Sequence, residues 1–194
     1  ADNHPTHQHY ALIAQKLGLP SIMLQHGLDC ERYYLDDAYA SAIAVWGHDR
    51  RERYQRDSQH QPDHLEITGN PEYDHLQLPE TLNRPGNDWL WATRPHSSGK
   101  CYSPSRSPLE GLEILRSIEK TLQKTPGRKL IIKPHPYDDV GLYRDYIRQT
   151  STHDRISIVE DASCWNLFRQ AGIVLSEDST VGMEAMFMGI PVIH

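Results

Sequence analysis

From Gly172 onward the chain writes an apolar strand, Gly172-Ile173-Val174-Leu175, then a polar turn, then a helix opened by Ser179-Thr180, then a second apolar stretch at Pro191-Val192-Ile193. Two strands joined through a helix run parallel, and a parallel sheet needs helices to cover its faces. That requirement places the chain in the α/β class. The same stretch bears on function. Unpaired N–H groups and the positive dipole end at a helix N-terminus point the same way and suit a phosphate. Ser179 and Thr180 are therefore candidate phosphate ligands. Glu184, four residues after Thr180, falls one turn inside on the same helix face and can accept hydrogen bonds from a ribose. Taken alone, a Ser-Thr pair at this place would simply cap the helix.

Two further motifs stand at strand ends. Lys133-Pro134-His135-Pro136 follows the apolar strand Lys129-Leu130-Ile131-Ile132. Its prolines remove two N–H donors and fix the backbone, so the chain must leave the sheet there as a rigid turn. Turns at the carboxyl ends of parallel strands are where such sheets bind ligands. Lys133 brings a permanent positive charge, and His135 a group that can donate to a phosphate or move a proton. Gln25-His26-Gly27 ends the strand Ser21-Ile22-Met23-Leu24 in the same manner. Each motif alone reads as a solvated turn, and the three together read as a site.

Composition narrows the classes. Net charge is −6, the isoelectric point is near 6.0 and mean hydropathy is −0.66, a balance that argues against a general nucleic-acid binder. No run approaches the roughly 20 apolar residues of a membrane span. The three cysteines, Cys30, Cys101 and Cys164, show no C-x-x-C spacing, and an odd scattered set points to a reducing, cytoplasmic compartment. The chain opens without Met and closes inside an apolar strand, so the expectation is a piece of a longer protein.

Strands and helices alternate along the chain. The pattern predicts a helix over Tyr10–Leu19 stopped by Gly18, strands at Ser21–Leu24 and Ser41–Trp46, a helix over His48–Ser58 and a strand at Leu65–Thr68 before the turn Gly69-Asn70-Pro71. Arg50, Arg51, Arg53 and Arg56 read as a solvated helix face. A polar, proline-containing stretch at 78–87 is the expected linker, dividing a first domain over 1–77 from a second over 88–194. In the second, the expected elements are a strand at Trp89–Thr93, a polar loop from Arg94 to Ser107, and a helix over Leu109–Lys124 with Leu112, Leu115, Ile118 and Leu122 at helical spacing. After the strand ending at Ile132 come a helix around Leu142–Gln149, a strand at Ile156–Val159, and a helix over Ser163–Ala171 capped by Asp161. Trp46, Trp89 and Trp91 read as packing residues rather than stacking platforms.

These motifs resemble the sugar-nucleotide-handling enzymes of the GT-B superfamily. The likeness runs from the strand before Gln25-His26-Gly27, through Ile67-Thr68-Gly69-Asn70-Pro71-Glu72-Tyr73-Asp74, to the closing motif. Two groups are similar: the capsule and teichoic-acid transferases (CDP-glycerol glycerophosphotransferases, bacterial sialyl- and Kdo-transferases) and the UDP-N-acetylglucosamine 2-epimerases. Glu184-Ala185 and Gly189-x-Pro191 match the epimerase pattern without a gap. Epimerases, however, carry a glutamate-alanine-glycine segment where this chain has Gln25-His26-Gly27, and an amide does not titrate. The transferases share the His-Gly pair, the His-Pro pair after a basic strand end and the Ser/Thr pair before the last helix. The acidic Asp/Glu-Asp/Glu-Gly motif of some sialyltransferases is not evident. No G-x-G-x-x-G follows any strand, which weighs against a dinucleotide oxidoreductase.

The resemblance implies GT-B-like Rossmann-type parallel sheets with helices on both faces, spanning the end of an acceptor-side domain and most of a nucleotide-binding one. It further implies a transferase of surface polysaccharide synthesis that moves a sugar or glycerol phosphate from a nucleotide-activated donor to a glycan or lipid-linked acceptor, at the inner membrane face, without a cofactor. Ser179 and Thr180 would contact the donor phosphate, with Lys133 and His135, and Glu184 the ribose. His26 would be the base for the acceptor hydroxyl, being of the type that titrates near neutrality. Metal-independent transfer is expected, because the acidic pairs Asp36-Asp37 and Asp138-Asp139 read as solvated loop residues. His4, His7 and His9 are spaced closely enough to chelate, but such runs near a chain end are more often solvated.

Overall fold

A computed structural model of the chain describes residues 5–27, 39–58, 62–74, 86–94, 107–136, 138–177 and 179–194, the side chains of residues 5–7 excepted. The chain divides into two compact units, Ala1–Gln77 and Leu78–His194. Cys30, Cys101, His4, the side chain of His7, the Asp36-Asp37 pair, most of the 78–87 stretch and most of the Arg94–Ser107 loop lie outside the described residues.

In the first unit, helix α1 (Pro5–Lys16) leads to strand β1 (Ile22–Leu24), and β2 (Ala42–Val45), α2 (His48–Asp57) and β3 (His64–Ile67) follow. Gly18, at φ 67°, takes the left-handed conformation that ends a helix at little steric cost. The strands pair in parallel in the order β1-β2-β3, with Met23 beside Ile43 and Ile43 beside Leu65. Because side chains alternate across a strand, Met23, Ile43 and Val45 share one face, where they pack with Ala11, Ala40 and Tyr54. Ile22 and Leu24 are exposed on the other. The arginine-rich face of α2 departs from expectation at one residue. Arg50 is buried, four residues before Tyr54, and its guanidinium lies over the Tyr54 ring at 4.8 Å from the centroid. Spacing of four turns both residues toward the sheet, and the ring face attracts the cation.

The second unit runs β4 (Asp88–Ala92), α3 (Pro108–Gln123), β5 (Leu130–Lys133), α4 (Val140–Ile147), β6 (Ile156–Ile158), α5 (Cys164–Phe168), β7 (Ala171–Ser176), α6 (Thr180–Phe187) and β8 (Val192–Ile193). All pairings are parallel, in the order β6-β5-β4-β7-β8. Alternation along β4 and β5 divides the core between two faces. Trp91, Leu130 and Ile132 meet Leu115 and Leu122 of α3 and Tyr143 and Ile147 of α4. Leu90, Ile131 and Val174 meet Leu167 and Phe168 of α5 and Ala185 of α6. Helices thus cover both faces, in a Rossmann-like α/β arrangement. Each fully buried leucine or isoleucine contributes about 1.5–3 kcal/mol. Trp91 is 2% exposed and meets the Tyr143 ring edge-on at 5.4 Å, a packing role as its sequence context suggests.

Helix α3 begins with a reciprocal cap: Ser107 Oγ accepts the Glu110 N–H at 3.2 Å, and Glu110 Oε2 accepts the Ser107 N–H at 2.8 Å. Pro108 occupies the first turn, where its missing N–H costs nothing. Several expected boundaries shift: α1 runs Pro5–Lys16 rather than Tyr10–Leu19, and α4 runs Val140–Ile147 rather than Leu142–Gln149. Strand β5 extends through Lys133, one residue further than its apolar run. Helix α5 is capped by Ser163, whose Oγ accepts the Asn166 N–H, rather than by Asp161, and it stops at Phe168 because Ala171 and Gly172 belong to β7.

Candidate functional site

In the second sheet, β5 and β6 lie on one side of β4, and β7 and β8 on the other. Such a reversal of strand order opens a crevice at the carboxyl ends of the central strands. The strands end level. Ala92 pairs in register with Lys133 on one side and with Ser176 on the other. With strands about 4.8 Å apart, Lys133 and Ser176 stand about 10 Å from each other across β4. Lys133 closes β5 on this rim, and His135, Ser179 and Thr180 follow the strands that end along it.

The Lys133–Pro136 turn is tied to the end of β4. The His135 N–H points to Thr93 Oγ1 at 2.9 Å and to Asp138 Oδ2 at 3.3 Å, and the Thr93 hydroxyl donates to the same Asp138 oxygen. The Asp138 N–H closes the turn on the His135 carbonyl at 2.9 Å. Asp139 caps α4, its Oδ1 accepting the Gly141 N–H at 3.0 Å. Asp138 is therefore built into the turn, while Asp139 stays exposed at the start of α4. Asp138 is a residue that sequence reasoning missed, and its partner Thr93 lies 45 positions away. Burial pushes the His135 imidazole below its ordinary value; Asp138 opposes that shift, while Arg94 and Lys133 add to it. Lys133 Nζ donates to the Glu160 carbonyl beyond β6 at 2.6 Å, and the Glu160 carboxylate pairs with Arg144.

Across β4, Ser179 is the N-cap of α6, its Oγ accepting the Val181 N–H at 3.3 Å. Thr180 is the first helical residue, and both are half-buried. The capping role does not displace the anion-binding potential of this end, since it satisfies one amide of the first turn. Glu184 lies one turn on, half-buried. The Cys164 thiol at the start of α5 connects the two sides of the site: burial raises its pKa first, Glu184 raises it further, and Lys133 lowers it. Lys133 and Glu184 therefore both act on one half-buried sulfur. Ser176, 2% exposed, carries a hydroxyl without a partner among the described residues, and Gly182 of α6 packs over it. Nothing in the sequence distinguishes this serine from its neighbours in the turn.

His26 belongs to the first unit, exposed just beyond β1. The residue before it is fully engaged: Gln25 Oε1 accepts the Trp46 N–H at 2.8 Å and Gln25 Nε2 donates to the Gly27 carbonyl at 2.9 Å. An amide supplies both an acceptor and a donor, which a carboxylate could not. A cavity of about 520 Å³ lies along Lys129, Arg155, Ser157 and Asn166 and includes none of the candidate site residues. Among the described residues no helix is long and apolar enough to cross a membrane.

Residues 106–194 match the family model described as capsule polysaccharide biosynthesis protein. The matched segment contains Lys133, His135, Ser176, Ser179, Thr180 and Glu184, and it supports a relation of this chain to capsule biosynthesis. No curated protein matches the chain.

Proposed function

We propose that the second unit binds a nucleotide-activated donor, and that the protein is a metal-independent GT-B-type transferase of capsule or teichoic-acid type polysaccharide synthesis. It moves a sugar or glycerol phosphate to a glycan or lipid-linked acceptor on the cytoplasmic side of the membrane. The observation that carries this reading is the level rim of β5, β4 and β7, of which β5 and β7 lie in the segment that matches the capsule family model. That rim offers a lysine, a histidine and a helix N-terminus about one strand pair apart.

The chemistry suits the residues. Cleaving a donor from its nucleotide builds negative charge on the leaving phosphate, and fixed cations and amides aimed at that charge lower the barrier most in a dry cleft. Lys133, His135 and the amides opening α6 are the stabilising groups in this reading, with Thr180 on a phosphate oxygen and Glu184 on the ribose. His26 is assigned as the acceptor base on residue type and family resemblance.

Calorimetric titration of the chain with CMP, CDP, UMP, UDP and ADP, repeated with Glu184→Ala, tests the proposal. Binding of a cytidine nucleotide that weakens at least tenfold in Glu184→Ala, equivalent to about 1.4 kcal/mol, is the expected result. Failure of every nucleotide to bind would remove the donor site. Preference for UDP together with epimerisation at C2 of its sugar would replace the transferase with an epimerase.

A further inference from the structure

The turn Lys133-Pro134-His135-Pro136 contains two residues that cannot donate through the backbone, so His135 carries the only N–H between Pro134 and Pro136. That amide is taken by Thr93 Oγ1 and Asp138 Oδ2. Over Pro134–Pro136 a ligand anion therefore meets side chains, above all the His135 imidazole. The orientation of that ring depends on what holds the turn, and what holds it is the Thr93–Asp138 pair.

We propose that Asp138, latched by the Thr93 hydroxyl, is a positioning residue for His135: it clamps the turn to the end of β4 and supplies the negative charge that lets the imidazole take up a proton beside an anion. The proposal rests on the donor-site reading above, because a phosphate is the anion that such a ring would serve. Among the described residues, the charged groups acting on the ring are Asp138 on its own turn, Arg94 at the end of β4 and Lys133 at the end of β5. Two of the three are positive. Without Asp138 the ring would stand half-buried beside two cations, and its protonated form would be disfavoured by burial and by charge alike. Asp138 is a partner that favours the cation, and an arriving phosphate adds another. Thr93 makes the arrangement directional. Its hydroxyl donates to Asp138 and accepts from the His135 amide, so carboxylate, turn and strand end are held by one side chain.

The test is an NMR titration of His135 in the whole chain, its signal identified by loss in His135→Gln. Asp138→Asn keeps an oxygen for Thr93 and the amide but removes the charge; it should lower the His135 midpoint. Arg94→Gln removes a positive charge and should raise the midpoint. A merely structural disturbance would not produce shifts of opposite sign. Thr93→Val leaves the charges and opens the latch, so the His135 amide should exchange faster. Unchanged midpoints in Asp138→Asn and Arg94→Gln, or shifts in the same direction, would overturn the proposal, and Arg94→Gln alone decides if Asp138→Asn does not fold. Adding CDP, UDP or inorganic phosphate separates the two readings. Opposite shifts in the variants with no response to any of the three anions would keep Asp138 as the positioning residue and remove the donor site. A response to nucleotide in the wild-type chain with unmoved midpoints in the variants would keep the donor site and remove the role of Asp138.

Discussion

Gly86 and Gly172 meet backbone to backbone: a Cβ placed on Gly172 would run into the carbonyl oxygen of Gly86. The contact seats the chain entering β4 against the start of β7, where the Asp88 N–H also donates to the Gln170 carbonyl at 3.1 Å. Arg128, two residues before β5, reinforces it by donating to the Asn87 carbonyl at 2.6 Å. The obstructing atoms are backbone, which cannot swing aside as a side chain would. Gly172→Ala should destabilise the second unit by about 1–3 kcal/mol, the range for forced overpacking. Urea unfolding followed by tryptophan fluorescence would show it as a lower midpoint, and an unchanged midpoint would mean the two strands are not this close.

The Gln25 amide bridges the ends of β1 and β2 and shapes the turn that presents His26. Gln25→Ala leaves the Trp46 N–H without that acceptor and should cost about 1 kcal/mol, the net worth of a typical hydrogen bond. Hydrogen exchange resolved at the Trp46 amide is the direct measure. Protection there should fall in Gln25→Ala. Gln25→Glu should fall between the two, since an ionised carboxylate keeps the acceptor but repels the Gly27 carbonyl. Equal protection in all three proteins would show the brace to be absent in solution.

The alternation of apolar strands with amphipathic helices made the parallel α/β class readable from sequence, because the two periodicities are dictated by backbone geometry. Strand order was not readable. The same run of elements fits several orders; here β4 lies between β5 and β7, with α3 and α4 on one face and α5 and α6 on the other. In the site, Lys133, His135, Ser179, Thr180 and Glu184 stand out as polar groups at strand ends and on a helix face. Asp138 did not, because an aspartate beside prolines usually faces water, and the hydroxyl that holds it is distant in sequence. Arg50 misled for a related reason. Its three arginine neighbours on α2 made it one of a charged set, while Tyr54 one turn away drew it inward.

The half-buried His135 gives stability a pH slope whose sign follows from its lowered pKa. The unfolded chain, with an ordinary histidine near 6.5, binds a proton that the folded site resists. Between the folded value and about 6.5 the unfolded state carries more protons, so stability rises with pH through that window and is lost as pH falls. Above about 6.5 the contribution is fully present and the slope vanishes. Thermal unfolding compared between wild type and His135→Gln should therefore show a wild-type slope in mildly acidic buffer that the variant lacks. If the variant retains the whole slope, another group is responsible. Added phosphate should flatten the slope in the wild type, because an anion beside the ring favours its charged form.

Cys164 offers a reporter of Glu184 that needs no nucleotide. Burial raises its thiol pKa most, the Glu184 carboxylate raises it further, and Lys133 pulls it down. The thiolate is the species that alkylates, so at fixed pH the rate follows the thiolate fraction, about tenfold for each unit. Glu184→Gln removes a repelling negative charge and should speed alkylation of Cys164 by about two- to tenfold near pH 8. Lys133→Met removes an attracting positive charge and should slow it. Peptide-resolved mass spectrometry after a timed iodoacetamide pulse distinguishes Cys164 from Cys30 and Cys101. Opposite effects would place Glu184 and Lys133 together at one sulfur in solution, on the two sides of β4 where a nucleotide would need them. If neither substitution changes the rate, the helix face bearing Glu184 does not turn toward the end of β5, and the ribose assignment loses its structural support.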